Sequence, residues 1–300
     1  MQQRRALLVD AFTETPLRGN AAGVVPDANG LSDRQLQAIA TELGASETAF
    51  ITSSATADRQ IRYFTPTQEV DLCGHATIAS HAALHEDGHI ESGTHSLETN
   101  VGQLDIEIGT DDTVWMTQRD PDVTSLEADL DRLAAALGIE TATLADVGAD
   151  IPVARANTGL PWLMVPVNFL EHVGSIDPDM NAIERLSDEH DTVGVYAFSF
   201  DALEADSTLH ARAFAPSAGV PEDPVTGTAS GACGAYLRDV EAFDDEFPEE
   251  MRFEQGHFLE RDGFVRVQVG DSIRVGGAAT VSLDGSVKIP TNESDDIIEA

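Results

Sequence analysis

Apolar and polar residues alternate in RALLVDAF from Arg5, TAFITSS from Thr48, RQIRYF from Arg59 and QLDIEIG from Gln103. A period of two puts Leu104, Ile106 and Ile108 on one face, so these stretches are predicted to be half-buried strands. A period near 3.6 runs from Ser32, a predicted N-cap, through Leu36, Ile39, Ala40 and Leu43. A second runs from Leu126 through Leu130, Leu133 and Leu137 to Gly138. Both spacings predict helices, and strands predominate between them.

The pattern also repeats itself. Arg62-Tyr63-Phe64-Thr65-Pro66 is echoed by Arg212-Ala213-Phe214-Ala215-Pro216, and each is followed by an acidic residue and then a glycine. That glycine opens a run of small residues, GHATIASHAAL from Gly74 and GTASGACGAYL from Gly227. We read a degenerate duplication of a strand, a loop and a helix narrow enough to sit inside a curled sheet. Two alanine-rich helices can also resemble each other by chance. If the copies are real, two like domains face each other and each buried helix aims its first turn at the cleft. The free N–H groups and positive dipole end there favour an anion, so a small carboxylate is the expected ligand.

Composition narrows the partners. The 300 residues carry 53 Asp and Glu against 17 Lys and Arg, a formal net charge of −36, and Lys288 is the one lysine. Such a surface repels nucleic acid and anionic lipid, so neither is an expected partner. The same balance is expected of a halophile, because molar salt shortens the screening length to about 3 Å. The ALLV run after Arg4-Arg5 is too short for a signal peptide, and no apolar stretch approaches a membrane span. A soluble cytoplasmic protein is expected. Two cysteines do not make a disulfide framework.

Several motifs invite chemistry. His85-Glu86-Asp87-Gly88-His89 satisfies the H-E-x-x-H zinc pattern, but Gly88 falls where a helix would end, and no metal site is expected there. Cys73 ahead of Gly74 raises thiol catalysis, which in two-thiol racemases needs a second cysteine ahead of the second helix. Cys233 instead falls six residues inside that helix, so the two-thiol mechanism fails. Taken singly, Glu47, His75 and Asp223 have bland readings: a surface acid, a helix-start histidine and a loop acid.

In combination they do not. Asp10-Ala11-Phe12-Thr13 with Pro16 to Asn20, Ser46 to Phe50, Arg62 to Pro66 with Gly74-His75-Ala76-Thr77, Glu222 to Gly227, and Glu254-Gln255-Gly256 stand in an order that resembles the PhzF-like phenazine biosynthesis isomerase family. The resemblance spans nearly the whole chain. It implies an α+β, diaminopimelate-epimerase-like fold of two pseudo-symmetric domains, each a mostly antiparallel sheet curled around a central helix. The expected boundaries are 1–118, completed by a C-terminal strand at 279–290, then 119–278, with an acidic tail at 291–300. The resemblance implies a cofactor-independent isomerase, usually homodimeric, that moves a proton between carbons of a small unsaturated carboxylic acid. It implies Glu47 as general acid/base with His75 and Asp223, and substrate binding by Asn20, Gly74, Gly227 and Thr228. Ala76 stands where proline is common, and Leu259-Glu260-Arg261 where Met-Gly-Arg is usual, which leaves substrate preference open. An amino-acid racemase, epimerase or hydroxyproline dehydratase on the same fold, and a non-catalytic metabolite-binding protein, are the alternatives.

Overall fold

The computed structural model describes residues 2–145, 147, 151–243 and 246–289. The acidic tail expected at 291–300 lies outside them. The molecule is mixed α+β, and eighteen strands among the described residues are hydrogen-bonded in one continuous network.

In the first half, Gln2–Ala11 pairs antiparallel with Asn20–Val25, which lies parallel to Thr48–Thr52, which is antiparallel to Arg59–Phe64. Arg59–Phe64 takes the short strand Glu69–Val70 antiparallel and Gly93–Thr99 parallel. Gly102–Ile108 and Val114–Thr117 follow by antiparallel hairpins. In the second half, Ala154–Asn157, Pro161–Pro166, Gly194–Ser199 and Leu209–Ala215 pair antiparallel, parallel and antiparallel in turn. Leu209–Ala215 takes Val220–Asp223 antiparallel and Met251–Gln255 parallel, and Gly263–Val269 and Ile273–Gly277 complete the run. Val114–Thr117 joins Ile273–Gly277. Two strands cross over: Asp122–Ser125 pairs with Ala154–Asn157, and Ala279–Ile289 returns to Gln2–Ala11.

Two 13-residue helices, Gly74–Glu86 and Gly227–Asp239, sit against these strands and touch each other. Neither has a polar face over its buried length; Ala76 to His81 and Ala229 to Leu237 are buried without a break. A helix that is enclosed all round must be narrow, since strands press on every side. A Cβ on Gly234 would lie 2.6 Å from Val267 and one on Gly231 3.0 Å from Val275.

Outer helices are amphipathic instead. Asp33–Leu43 starts from Ser32 through a capping box with Gln35, and buries Leu36, Ile39 and Ala40 against Val25, Phe50 and Phe64. The second predicted helix begins later than its periodicity implies: Asp129 caps it at Arg132 N, so it spans Leu130–Leu137. Leu126 belongs to the preceding extended segment, where its N–H donates to Val153. The hydrophobic period continues across that boundary because both segments face the same apolar layer. Among the described residues no helix is long and apolar enough to cross a membrane.

Candidate active site

The site begins at the first turn of Gly74–Glu86. Cys73 is the N-cap, in extended conformation at φ −139°, and His75 is the second helical residue. Glu47 lies immediately before the strand Thr48–Thr52, whose register beside Asn20–Val25 carries it to the helix start. His75 Nε2 is 3.5 Å from Glu47 Oε2 and 3.4 Å from Ser46 Oγ, and its Nδ1 is 3.4 Å from Cys73 Sγ. The imidazole therefore stands between a thiol and a carboxylate, one ring nitrogen toward each. Burial, then the Glu47 carboxylate, push the Cys73 thiol well above its ordinary value, while the Ala76 amide of the helix turn pulls the other way.

The opposite group forms at the start of Gly227–Asp239. Asp223 ends the strand Val220–Asp223, and both its oxygens are held: Oδ1 accepts from Asn20 Nδ2 at 2.8 Å and Oδ2 from Thr226 Oγ1 at 2.5 Å. Gln255, buried at 1 % exposure, donates from Nε2 to the Asp223 carbonyl at 2.7 Å and to Thr226 Oγ1 at 3.1 Å. Burial raises the Asp223 carboxyl, and the Glu47 charge adds to it. His75, Thr226 and Asn20 oppose the rise. Asp223 thus shares one electrostatic neighbourhood with Glu47, His75 and Cys73, though more than a hundred residues separate them in the chain.

Of the remaining sequence-predicted residues, Asn20 is buried and bridges Asp223 to the Val225 carbonyl, so its amide is already committed. A Cβ on Gly74 would meet nothing within 4 Å, so that helix start faces open space. Gly227 is closed by comparison; a Cβ there would lie 3.0 Å from Phe12 Cζ. Thr228 is half-buried, and its hydroxyl accepts from Trp162 Nε1 at 3.4 Å. The H-E-x-x-H segment holds no paired ligands: the helix stops at Glu86, and His85 is taken up by Ile90 O and Asp112.

Such a chain is now comparable with known proteins. Residues 9–285 match the family described as "Phenazine biosynthesis-like protein". The chain belongs to this family. Within the phenazine biosynthesis-like family, it is 37% identical over 291 residues to the uncharacterized isomerase YfhB of Bacillus subtilis, covering 95% of this chain and 96% of the relative. The PhzF family protein of Bacillus anthracis superposes with a TM-score of 0.86 at 34% identity, covering 96% and 100% of the two chains. A hydroxyproline epimerase from Agrobacterium vitis shares the fold, with a TM-score of 0.59 at 15% identity over 96% and 91% of the chains. The phenazine biosynthesis-like family is an isomerase family, and several curated relatives carry isomerase in their names.

Residues outside the sequence-assigned set also shape this site. Arg261, expected to bear on substrate preference, is committed to the loop between Phe12 and Asn20. Its Nη2 donates to Asp10 Oδ1 and Arg18 O at 2.8 Å, and its Nε to Gly19 O at 2.9 Å. Glu260 sits at φ +55°, in the left-handed region that glycine enters with least strain, which explains a usual Met-Gly-Arg at this point. Thr226, Gln255 and Phe12 lay inside the recognised motifs, but only tertiary packing reveals what they hold.

Proposed function

We propose that this chain is a cofactor-independent PhzF-like isomerase, working on a small unsaturated carboxylic acid held between two pseudo-symmetric halves. The pairing order repeated in the two halves, with a small-residue helix in each, supports that architecture. The observation that carries the reading is Glu47 at 3.5 Å from His75, partly exposed beside an open helix start, with the Asp223 carboxylate held by Asn20 and Thr226 in the same electrostatic neighbourhood.

In the proposed reaction the Glu47 carboxylate accepts a proton from a carbon next to the conjugated system. The electron pair left behind spreads through that system into the substrate carboxylate as an enolate-like anion. First-turn N–H groups at Gly74 and Gly227 face that charge, the kind of fixed dipole that lowers such barriers most. Protonated Glu47 then returns the proton to another carbon. His75 fixes the carboxylate's orientation, and Asp223, oriented by Asn20 and Thr226, positions the polar end of the substrate. General acid/base transfer of this kind contributes on the order of 10²–10⁴-fold.

The test is incubation with a panel of unsaturated carboxylic acids in D₂O and molar KCl, followed by NMR of the carbon positions. We expect deuterium to enter two carbons of at least one acid, and Glu47→Gln to fold normally with exchange reduced at least 10²-fold. Full exchange in that variant would remove Glu47 from the reaction. A second reading, a racemase, epimerase or dehydratase using Cys73, is favoured by the 3.4 Å approach of its thiol to His75. Loss of turnover on selective alkylation of Cys73 would support it.

A further inference from the structure

We propose that Gln255 is a positioning residue for Asp223: it holds the Thr226 hydroxyl as a donor to that carboxylate and so favours the charged form at the second bank of the cleft. The bonds allow one assignment. Gln255 Oε1 accepts from the Thr226 backbone N–H at 3.1 Å, and its Nε2 donates to the Asp223 carbonyl at 2.7 Å. A backbone N–H only donates and a carbonyl only accepts, so this amide cannot be turned over. Its second N–H goes to Thr226 Oγ1 at 3.1 Å, which leaves the single hydroxyl hydrogen for Asp223 Oδ2 at 2.5 Å. Asn20 is anchored in the same manner: Nδ2 gives one hydrogen to the Val225 carbonyl and the other to Asp223 Oδ1, each at 2.8 Å. Among the described residues, every hydrogen bond to this carboxylate therefore runs toward it.

A carboxylate that meets only donors is stabilised as an anion. If it takes a proton, Thr226 Oγ1 can accept that proton only by leaving its own hydrogen unpaired, because the Gln255 N–H already occupies the oxygen. Thr226, Gln255 and Asn20 are all buried, so bulk water does not replace a lost donor. Burial pushes the Asp223 carboxyl up, and the Thr226 bond is among the contacts that hold it down, in agreement with the bond directions. The relay is not a requirement of a buried helix start. The first central helix has Cys73 at its N-cap, and that thiol meets His75 instead. Gln255 touches neither oxygen of the Asp223 side chain, so its influence there passes through Thr226. The role in turnover rests on the isomerase reading; the direction of the bonds does not.

The experiment follows the Asp223 carboxyl by ¹³C NMR in the full chain labelled at aspartate Cγ, in molar KCl, its resonance being the one lost in Asp223→Asn. We expect Thr226→Val to raise the pH of its titration by about one unit, Thr226→Ser to leave it in place, and Gln255→Leu to raise it by a smaller step. In the Thr226→Val background Gln255→Leu should add nothing, a coupling that an independent packing role would not produce. An unmoved titration in Gln255→Leu, an equal step with and without the hydroxyl, or Thr226→Ser behaving as Thr226→Val would each overturn the proposal. In the unmodified chain the Thr226 hydroxyl proton should follow the Asp223 titration in its chemical shift, so the test survives a poorly folding variant; a proton indifferent to that titration would also overturn it. For any acid that exchanges deuterium, the pH profile of exchange should move with Asp223 in Gln255→Leu, and a profile that stays put would remove the positioning role. Failure to exchange deuterium in any acid would count against the isomerase reading and leave the bonding claim to the titrations.

Discussion

At the scale of single residues, what decides this site is which side chains are already spoken for. Asn20 donates to both Asp223 and Val225 O, so Asn20→Ala leaves two acceptors unmatched in a buried place. Its expected cost is about 1–3 kcal/mol, readable in urea unfolding, together with lower turnover because Asp223 loses its aim. Phe12 takes φ +66° while buried, its ring against Gly227 and Gly277. Phe12→Ala should destabilise by roughly 3–5 kcal/mol through the cavity it leaves. His81 is fully enclosed in the first central helix, and burial lowers its pKa from 6.5 to about 4. Below 6.5 the unfolded chain binds a proton that the folded chain refuses, so stability is full above that value and drains away as the pH falls toward 4. Near pH 5 the loss from this group is about 2 kcal/mol, and His81→Gln should flatten that part of the profile measured against the parent chain. None of these three commitments could be read in the sequence, which gives residue types at a motif and not their partners.

At the scale of elements, the repeated Arg-x-Phe strand has a mechanical meaning. Arg62 clamps Glu69 through two bonds of 2.7 Å and lies over Phe64; Arg212 clamps Glu222 through two bonds of 2.8 Å and lies over Phe214. Each clamp closes a hairpin whose outgoing strand leads into a central helix, so it fixes where that helix begins. The two clamps differ in burial. Arg212 is buried and also supports the carbonyls of Val173 and Ile176, whereas Arg62 keeps 24% side-chain exposure. Arg212→Lys, which cannot reproduce the planar fork, is expected to cost about 2–3 kcal/mol, and Arg62→Lys under about 1 kcal/mol, by thermal unfolding. The strands and the two small-residue helices were legible because alternation and glycine spacing are local signals. The later start of Leu130–Leu137 was not, because a single cap at Asp129 overrides a periodicity shared by two segments. Likewise Arg261 reads as a site residue beside its motif, yet its partners are Asp10, 251 residues earlier, and the Arg18 and Gly19 carbonyls, 243 and 242 residues earlier, beyond any local pattern.

At the scale of the whole molecule, charge sets the conditions under which any of this is measured. A net charge of −36 in dilute buffer opposes compaction and repels a carboxylate ligand, and molar salt confines both effects to a few ångströms. The melting temperature should rise by several degrees between dilute buffer and molar KCl; an unchanged value would show that the acidic surface is not a stability burden. The crossed strands add a constraint of a different kind. Because Ala279–Ile289 pairs along all of Gln2–Ala11, one edge of that strand is filled only by a strand that follows both central helices in the chain. A chain halted before residue 279 holds this strand half-zipped, so the fold closes on itself only through a contact that spans both halves.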